Sequence, residues 1–357
     1  MVNLHGLTPE ALHAHLLTAG APCTASHARS LLARHLAFHP RDVPRRESVP
    51  KSVLRIFEAT TSLARLTVVE RVEDPADGFV KYLLRSPDGA LSEAVRIPLE
   101  VPGRFTICLS SQVGCAMACA FCATGRLGLS RNLAAWEIVS AFCIVRDELP
   151  EGARITGAVF MGQGEPFHNY DQVIHAASIL SDPNGGRIGA EAISISTVGL
   201  VPEIRRYTAE GHRYRLVVSL TSAISERRRR LMPVTRKWDV PEVAAAIREH
   251  ALARNTRVTV AWVVLGGENT GNDEVEALRT LFADTPIKLN IIDVNDSTPD
   301  GDGGPRFVRA DAAELDAFRD RLRTLGVPVV RRYSGGRDKH AACGMLASRA
   351  DGAGAGG

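Results

Sequence analysis

The sequence FTICLSSQVGCAMACAFCATG, residues 105–125, decides how the rest of the chain is interpreted. Its first six residues, FTICLS, form a short apolar run that is typical of a buried strand. The loop that follows carries Cys115, Cys119 and Cys122 in a C-x3-C-x2-C spacing, with no fourth cysteine in the same loop. A strand that ends in three thiols predicts a metal centre at the carboxyl end of that strand.

The alternation of strand and helix continues downstream of this stretch. Helical segments such as NLAAWEIVSAFCIVRDEL separate short apolar runs, which are ITGAVFMG, AISIST, RLVVSLT, RVTVAWVVL, IKLNIID and VPVVRRY. Such alternation predicts parallel βαβ units. About six repeats within 104–348 predict an α/β fold, a partial (β/α)6 barrel. A doubly wound sheet is the alternative.

The chain upstream of this core has a different pattern. Thr8 and Pro9 are typical of a helix start, and Leu12 and Leu16 give that helix one apolar face. Further on, alternating segments separated by DPADG and SPDG predict a β-meander. The predicted division is a small N-terminal helical, candidate RNA-binding domain at 1–62, a β-meander extension at 63–103, a core at 104–348 and a disordered tail at 349–357.

Composition narrows the class of protein. A net charge of +3 over 357 residues is no general nucleic-acid signature, so any RNA contact must come from local patches. No apolar run reaches transmembrane length, and the N-terminus lacks a signal-peptide core. We therefore expect a cytoplasmic protein without a membrane partner. Seven cysteines in such a chain indicate metal binding or catalysis rather than a disulfide framework.

The three-cysteine loop leaves one metal position open. A closed zinc site would need a distant fourth ligand such as Cys108, Cys143 or His168. The spacing directly after a strand is instead similar to the signature of radical S-adenosylmethionine enzymes. That resemblance implies a [4Fe–4S] cluster with three irons on Cys115, Cys119 and Cys122, and S-adenosylmethionine on the fourth iron. A structural zinc or a chance cluster is the alternative.

A second motif, MGQGEP at 161–166, also follows a predicted strand. It lacks the third glycine of a dinucleotide fingerprint, because Phe167 stands there, and it has no Gly-Lys-Ser/Thr of a P-loop. Gly164 and Glu165 would let backbone carbonyls and a carboxylate approach the amino group of S-adenosylmethionine. The alternative is an ordinary βα turn with an exposed glutamate.

Taken together, these motifs resemble the RlmN/Cfr family, radical S-adenosylmethionine enzymes that methylate an adenosine of 23S ribosomal RNA. The resemblance covers about Glu93 to Leu346 and rests on SEAVRIP, TICLSSQVGCAMACAFCATG, RNLAAWEI, FMGQGEPFHN, SISTVGLVP, VSLTS, LMPV, LNIIDVN and HAACGML. It implies a partial (β/α)6 radical-SAM barrel with an N-terminal helical domain. It also implies 23S rRNA as partner, with transfer RNA as a further RNA substrate, and a cytosolic electron donor such as flavodoxin. We expect a monomer.

The resemblance also implies roles for three reacting side chains. Cys343 would carry the methyl group as S-methylcysteine, and Glu93 would accept the proton from adenine carbon 2 or carbon 8. Cys108 would then resolve the protein–RNA adduct through a transient Cys108–Cys343 disulfide. The alternatives are a core thiol for Cys108, since it lies in an apolar strand, and a solvated surface residue for Glu93. Cys143 is predicted to be a core residue.

Further cofactor contacts are implied by position in the family motifs. The residues are Ser196, Ser219, Leu220, Thr221 and Asn295. Thr221 stands where the family usually has histidine. Polar residues at strand ends would meet a ligand of a barrel, although hydroxyls there could instead cap the next helices.

Three basic clusters could contact RNA phosphates. They are Arg41, Arg45 and Arg46; Arg227 to Arg230; and Arg331, Arg332, Arg337 and Lys339. The alternative for each cluster is a solvated charged face. Two rival functions remain open: a radical S-adenosylmethionine enzyme of this fold acting on a non-RNA substrate, and a non-catalytic iron–sulfur or zinc protein that binds RNA.

Overall fold

The computed structural model describes residues 1–39, 48–295 and 307–332. Predictions for Cys343, for Arg41, Arg45 and Arg46, for Arg337 and Lys339, and for the tail at 349–357 lie outside these residues.

The helices follow their sequence signals. Thr8 caps the first helix by accepting a hydrogen bond from the Ala11 amide at 3.2 Å, and Pro9 occupies its first turn. The helices are α1 (Pro9–Thr18), α2 (Ala25–Leu36), α3 (Lys51–Thr60), α4 (Ala123–Arg126), α5 (Ala135–Asp147), α6 (Tyr170–Ser181), α7 (Val201–Glu210), α8 (Ser225–Leu231), α9 (Val240–Ala253), α10 (Asn272–Leu281) and α11 (Ala312–Arg323).

The strands form one large sheet and two small ones. The strands are β1 (Val2–Asn3), β2 (Thr61–Ser62), β3 (Thr67–Glu73), β4 (Val80–Arg85), β5 (Leu91–Pro98), β6 (Arg104–Leu109), β7 (Gln112–Gly114), β8 (Leu129–Asn132), β9 (Arg154–Phe160), β10 (Ile193–Thr197), β11 (Arg215–Ser219), β12 (Val258–Val264), β13 (Ile287–Asp293) and β14 (Val329–Arg332). Within the described residues the large sheet has ten strands in the order β14-β13-β12-β11-β10-β9-β6-β5-β4-β3.

The parallel part of the sheet is singly wound. Strands β6 and β9 to β14 pair in parallel and follow one another in chain order without a reversal. A doubly wound sheet requires such a reversal, so that alternative is wrong. Successive right-handed crossovers in one direction place the connecting helices on one face of the sheet, as in a (β/α) barrel.

The predicted meander joins this sheet directly. Strands β3, β4 and β5 are antiparallel to one another, and β5 pairs with β6 from Ala94↔Leu109 to Pro98↔Phe105. The N-terminal helices pack on the same core, because Leu12, Leu31 and Phe57 share one apolar cluster with the sheet. The domain boundaries at 62 and 103 stay predictions. In the described part of the chain, no helix has the length and apolar character needed to cross a bilayer.

The register separates the sheet into an apolar and a polar face. Directly paired residues on neighbouring strands point to the same face, and successive residues alternate. One face carries fully buried apolar side chains, among them Ile107, Ala158, Ile195, Val218 and Val260. The other face carries polar and reactive side chains, among them Cys108, Ser194, Ser196, Ser219 and Asn290. The second set defines the polar face below.

Neighbouring substitutions on β10 should separate the two faces. We expect Ile195→Ala to lower the free energy of unfolding by about 2–5 kcal/mol, because it empties a fully buried position. Ser196→Ala, on the polar face, should change it by less than about 0.5 kcal/mol. Urea unfolding of the metal-free protein measures both values, and equal losses would contradict the assignment of the faces.

Candidate active site

The cysteine loop is closed at its base by backbone contacts. The Cys115 amide donates to the Gly128 carbonyl at 2.8 Å, and β7 pairs with β8 on either side of the loop. Gly114 has a φ of +74°, and a Cβ there would lie 1.9 Å from the Gly128 oxygen. Only glycine fits this position, so the residue before the first cysteine is fixed by the closure of the loop.

Cys115 and Cys119 are buried, and Cys122 is partly buried. Burial, together with smaller contributions from Glu165 and Cys122, raises the pKa of Cys115 to about 12, although a hydrogen bond from the Met117 backbone opposes the shift. Burial also raises the pKa of Cys119 well above its usual range, with Cys122 and Cys115 as the next contributions. Thiolates are the metal-binding form, so binding of a cationic centre would release protons from these residues.

The arrangement fits a multi-iron centre on chemical grounds. In the described ranges, no three His, Cys, Asp or Glu side chains are grouped to hold a single metal ion. A [4Fe–4S] cluster takes one thiolate on each of three different irons, so its ligands need not converge on one point. No two cysteines of the described residues form a disulfide with each other.

The glycine-rich turn lies directly against the segment that leads into the cysteine loop. The amides of Ser111 and Gln112 both donate to the Gln163 carbonyl, at 2.8 and 3.2 Å. Gly164 has a φ of +96°, and a Cβ there would lie 2.5 Å from Cβ of Gln112. Both the left-handed backbone and the close approach therefore require glycine at 164. The two sequence motifs form one unit at the carboxyl ends of β6 and β9.

Glu165 is buried rather than exposed, which contradicts the ordinary-turn alternative. Its Oε1 accepts from the Phe167 amide at 3.0 Å and its Oε2 from the Val198 amide at 2.9 Å. Burial raises the pKa of Glu165 to about 7, although these amides and the Thr197 hydroxyl oppose the shift. A cationic ligand beside this carboxylate would favour its ionised form.

The predicted cofactor contacts on the next strands lie close together. The hydroxyls of Ser196 and Ser219 are 3.5 Å apart across β10 and β11. Neither serine caps a helix, because the N-cap residues of α7 and α8 are Leu200 and Ile224. The capping alternative is therefore wrong for both. Asn295 follows β13 at the same edge and is partly buried.

Leu220 and Thr221 are more deeply buried at the site than the two serines. The side chain of Leu220 is fully buried, and its amide donates to the Ala261 carbonyl at 3.0 Å. Thr221 is fully buried with a φ of +61°, and its hydroxyl has no hydrogen-bond partner among the described residues. Both side-chain amide atoms of Gln163 are buried without partners as well. Such orphaned polar atoms at one sheet edge fit a site completed by a polar ligand.

Glu93 belongs to a buried charged pair. Its Oε2 lies 3.8 Å from Nζ of Lys81, and the side chains are only 3% and 1% exposed. The solvated-surface alternative for Glu93 is therefore wrong. Lys81, Val95 and Cys108 are opposite one another across β4, β5 and β6, so the pair shares the polar face with Cys108. Sequence reasoning missed Lys81, whose signal is a lone lysine within an apolar strand.

The basic run at 227–230 is only partly accessible to RNA. Arg228 is fully buried, and Arg227 binds Glu274 at 2.5 Å and Asp273 at 2.9 Å. Arg230 is exposed and pairs with Glu268. The phosphate-binding prediction is wrong for Arg228 because its guanidinium is inaccessible. Cys143 is fully buried on α5, as a core thiol should be.

Comparisons with known proteins place this geometry in a family. No family model matches the chain. It is 53% identical to a probable RNA methyltransferase of Anaeromyxobacter sp. (strain Fw109-5), over 85% of this chain and 87% of that protein. It is 40% identical to the dual-specificity RNA methyltransferase RlmN of Pelobacter propionicus, over 86% and 85%. The crystal structure of a radical SAM methyltransferase from Sphaerobacter thermophilus matches with a TM-score of 0.85 and 33% identity, over 97% and 100%.

The chain belongs to the RlmN/Cfr family of radical S-adenosylmethionine RNA methyltransferases. The family implies a [4Fe–4S] cluster and S-adenosylmethionine as cofactors. The three thiols, the buried Glu165 and the orphaned polar atoms of Gln163 and Thr221 fit both groups.

The buried carboxylate of Glu165 should make the metal-free protein less stable as pH rises. Its pKa is about 7 when folded and 4.5 as the reference value, so the folded state binds the extra proton between these pH values. The free energy of unfolding therefore falls through this window, by about 3 kcal/mol for this group. Glu165→Gln should remove that decrease.

Urea unfolding between pH 4.5 and 7 measures the effect. Glu151→Gln, which removes an exposed carboxylate, is the control and should keep the wild-type dependence. An unchanged slope in Glu165→Gln would contradict the assignment.

Proposed function

We propose that this protein methylates a ring carbon, carbon 2 or carbon 8, of an adenosine in RNA, and that the RNA is 23S ribosomal RNA. Transfer RNA is a further candidate substrate. The observation that carries the proposal is the common position of Cys108, Glu93 and Ser196 on the polar face, beside the three-cysteine loop. The dual-specificity RNA methyltransferase name of several relatives supports RNA as the substrate class.

Two groups of residues would hold the cofactors. Cys115, Cys119 and Cys122 would bind three irons of the [4Fe–4S] cluster. Residues at the strand ends would contact S-adenosylmethionine: Gly164, Glu165, Ser196, Ser219, Leu220, Thr221 and Asn295. When bound, the cluster would supply the electron that cleaves S-adenosylmethionine and so generates a 5′-deoxyadenosyl radical.

The chain would supply the methyl carrier, the base and the resolving thiol. An electron-poor adenine carbon cannot attack a methylsulfonium, so Cys343 would carry the methyl group as a thioether and deliver it to the ring. Glu93 would accept the ring proton. Its carboxylate is buried on the polar face and lies 3.8 Å from Nζ of Lys81, which supports this role because a catalytic base must be held in position.

Cys108 would release the product. Its thiolate would attack the sulfur of Cys343 and form a Cys108–Cys343 disulfide. The bond between that sulfur and the RNA-bound carbon would break, and the carbon, which keeps the electron pair, would take up a proton to complete the methyl group. A cytosolic dithiol would reset the pair by thiol exchange. Cys108 is buried on β6 opposite Val95 of β5, on the same face as Glu93, which supports this assignment over a purely structural thiol.

The direct test is methyl transfer by the reconstituted protein. Anaerobic protein with iron, sulfide, S-adenosylmethionine and a flavodoxin-type electron donor is incubated with 23S rRNA fragments or transfer RNA. Mass spectrometry of the nucleosides then separates 2-methyladenosine from 8-methyladenosine. Methylation of neither RNA, with cleavage of S-adenosylmethionine intact, would favour the non-RNA alternative. Absence of iron and of cleavage would favour the non-catalytic alternative.

Loss of the resolving thiol should leave RNA on the protein. We expect Cys108→Ala, expressed anaerobically and digested with protease and nuclease, to carry a nucleotide on the peptide that contains Cys343. Cys143→Ala removes another buried thiol outside the polar face and should carry none. An unmodified Cys343 thiol in cluster-loaded Cys108→Ala protein would rule out the methyl-carrier mechanism.

The base and ion-pair roles of Glu93 should be separable. Glu93→Gln should lower methyl transfer by about 100- to 10,000-fold. It should also destabilise the fold by about 3–5 kcal/mol, because Lys81 loses its buried carboxylate partner. The double variant Lys81→Met/Glu93→Gln removes both charges.

Urea unfolding and single-turnover methylation then distinguish the two roles. The double variant should recover most of the lost stability yet remain inactive. Recovery of activity together with stability would mean that Glu93 is structural.

A further inference from the structure

A fully buried arginine lies at the same sheet edge as the cysteine loop. The side chain of Arg228 on α8 has no exposed surface. Its guanidinium donates to the Leu220 carbonyl at 3.0 Å, the Ser219 carbonyl at 3.3 Å and the Thr235 hydroxyl at 2.7 Å, and also to the Val198 carbonyl. Val198 follows β10, and Ser219 and Leu220 lie at the end of β11, where the predicted cofactor contacts lie. Thr235 lies after α8.

All of these partners are neutral, which sets Arg228 apart from its neighbours. Arg227 pairs with Asp273 and Glu274, and Arg230 with Glu268. In the described part of the chain, no carboxylate forms an ion pair with Arg228. Burying a charge without an opposite charge is strongly unfavourable. An anion close to this guanidinium would therefore stabilise it, and no carboxylate of the described residues is paired with it.

The cysteine loop is the neighbour that could supply it. The Ala120 amide donates to the Leu231 carbonyl at 2.8 Å, so the loop is hydrogen-bonded to the end of α8. Cys119 packs in one apolar cluster with Leu231 and Met232. Burial lowers the pKa of Arg228 to about 10. At neutral pH the guanidinium is still cationic.

We propose that Arg228 is the built-in counter-cation of the iron–sulfur cluster and raises its reduction potential. This inference rests on the proposed function, because it requires a cluster on Cys115, Cys119 and Cys122. Reduction adds one electron, delivered by a low-potential one-electron donor, and needs no proton. The added negative charge is stabilised by a nearby buried cation, so net charge around the cluster sets its potential.

The reduction potential measures this role independently of methyl transfer. In an anaerobic redox titration of the reconstituted full-length protein, followed by electron paramagnetic resonance, Arg228→Gln should be harder to reduce. We expect a ratio of reduced to oxidised cluster about tenfold lower at fixed potential, which is about 59 mV for a one-electron couple. Arg228→Lys keeps the charge and should remain near wild type. Arg230→Gln removes an exposed charge from the same helix and is the matched control.

A second pair of variants leaves Arg228 in place. Thr235→Asp would put a carboxylate where the guanidinium already donates a hydrogen bond, and Thr235→Asn is its neutral counterpart. We expect Thr235→Asp to lower the potential relative to Thr235→Asn. In the metal-free protein, Thr235→Asp should be the more stable of the two in urea, because it supplies the missing anion.

The outcomes separate this inference from the proposed function. Equal potentials in Thr235→Asp and Thr235→Asn, or equal shifts in Arg228→Lys and Arg228→Gln, would overturn the counter-cation role and leave a structural clamp. The function would stand in that case. Wild-type protein that assembles no cluster would overturn both. If Arg228→Gln does not fold, the Thr235 pair decides alone.

Discussion

The strict alternation of side chains along parallel strands is the constraint on which the structure depends. Because neighbouring strands are in register, each residue of β10 or β13 belongs to one face only. Ile195 and Leu289 can therefore be buried beneath helices, while Ser196 and Asn290 remain on the other face. A slip of one residue would exchange these sets. The stability of the core and the composition of the site are consequences of the same register.

The second common feature is charge held away from water at the site. Glu165 receives backbone amides, Glu93 pairs with Lys81, and Arg228 is surrounded by neutral oxygens. Electrostatic interactions are stronger in such surroundings than in water. A buried charge without an opposite charge is therefore strongly destabilising. The partners of Glu165 and of Arg228 carry no charge, and Arg228 is the cation of the two. That imbalance is what an anionic centre on the adjacent loop would correct.

Much of this fold could be predicted from the sequence because the signals are local. The apolar runs predict the strands. The cysteine spacing and MGQGEP predict that the site lies at the carboxyl ends of β6 and β9. The meander was also predicted, although its pairing with β6 was not. Lys81 and Arg228 could not be found in this way. A lysine in a strand and an arginine in a basic run have the same local pattern whether water or another strand covers them. Glu93 is buried beside Lys81 of β4, so the sequence around Glu93 alone does not predict its burial.

Thr221 is a residue type that does not suit the backbone conformation it adopts. A β-branched residue with a φ of +61° is strained, and its buried hydroxyl forms no hydrogen bond. The carbonyl of Thr221 accepts from the Asn269 side chain at 2.7 Å, so the surroundings hold this conformation from outside the residue. We conclude that the backbone at 221 is fixed by the site and not by the residue that occupies it. The side chain can therefore vary without moving the neighbouring Leu220 carbonyl, which Arg228 holds.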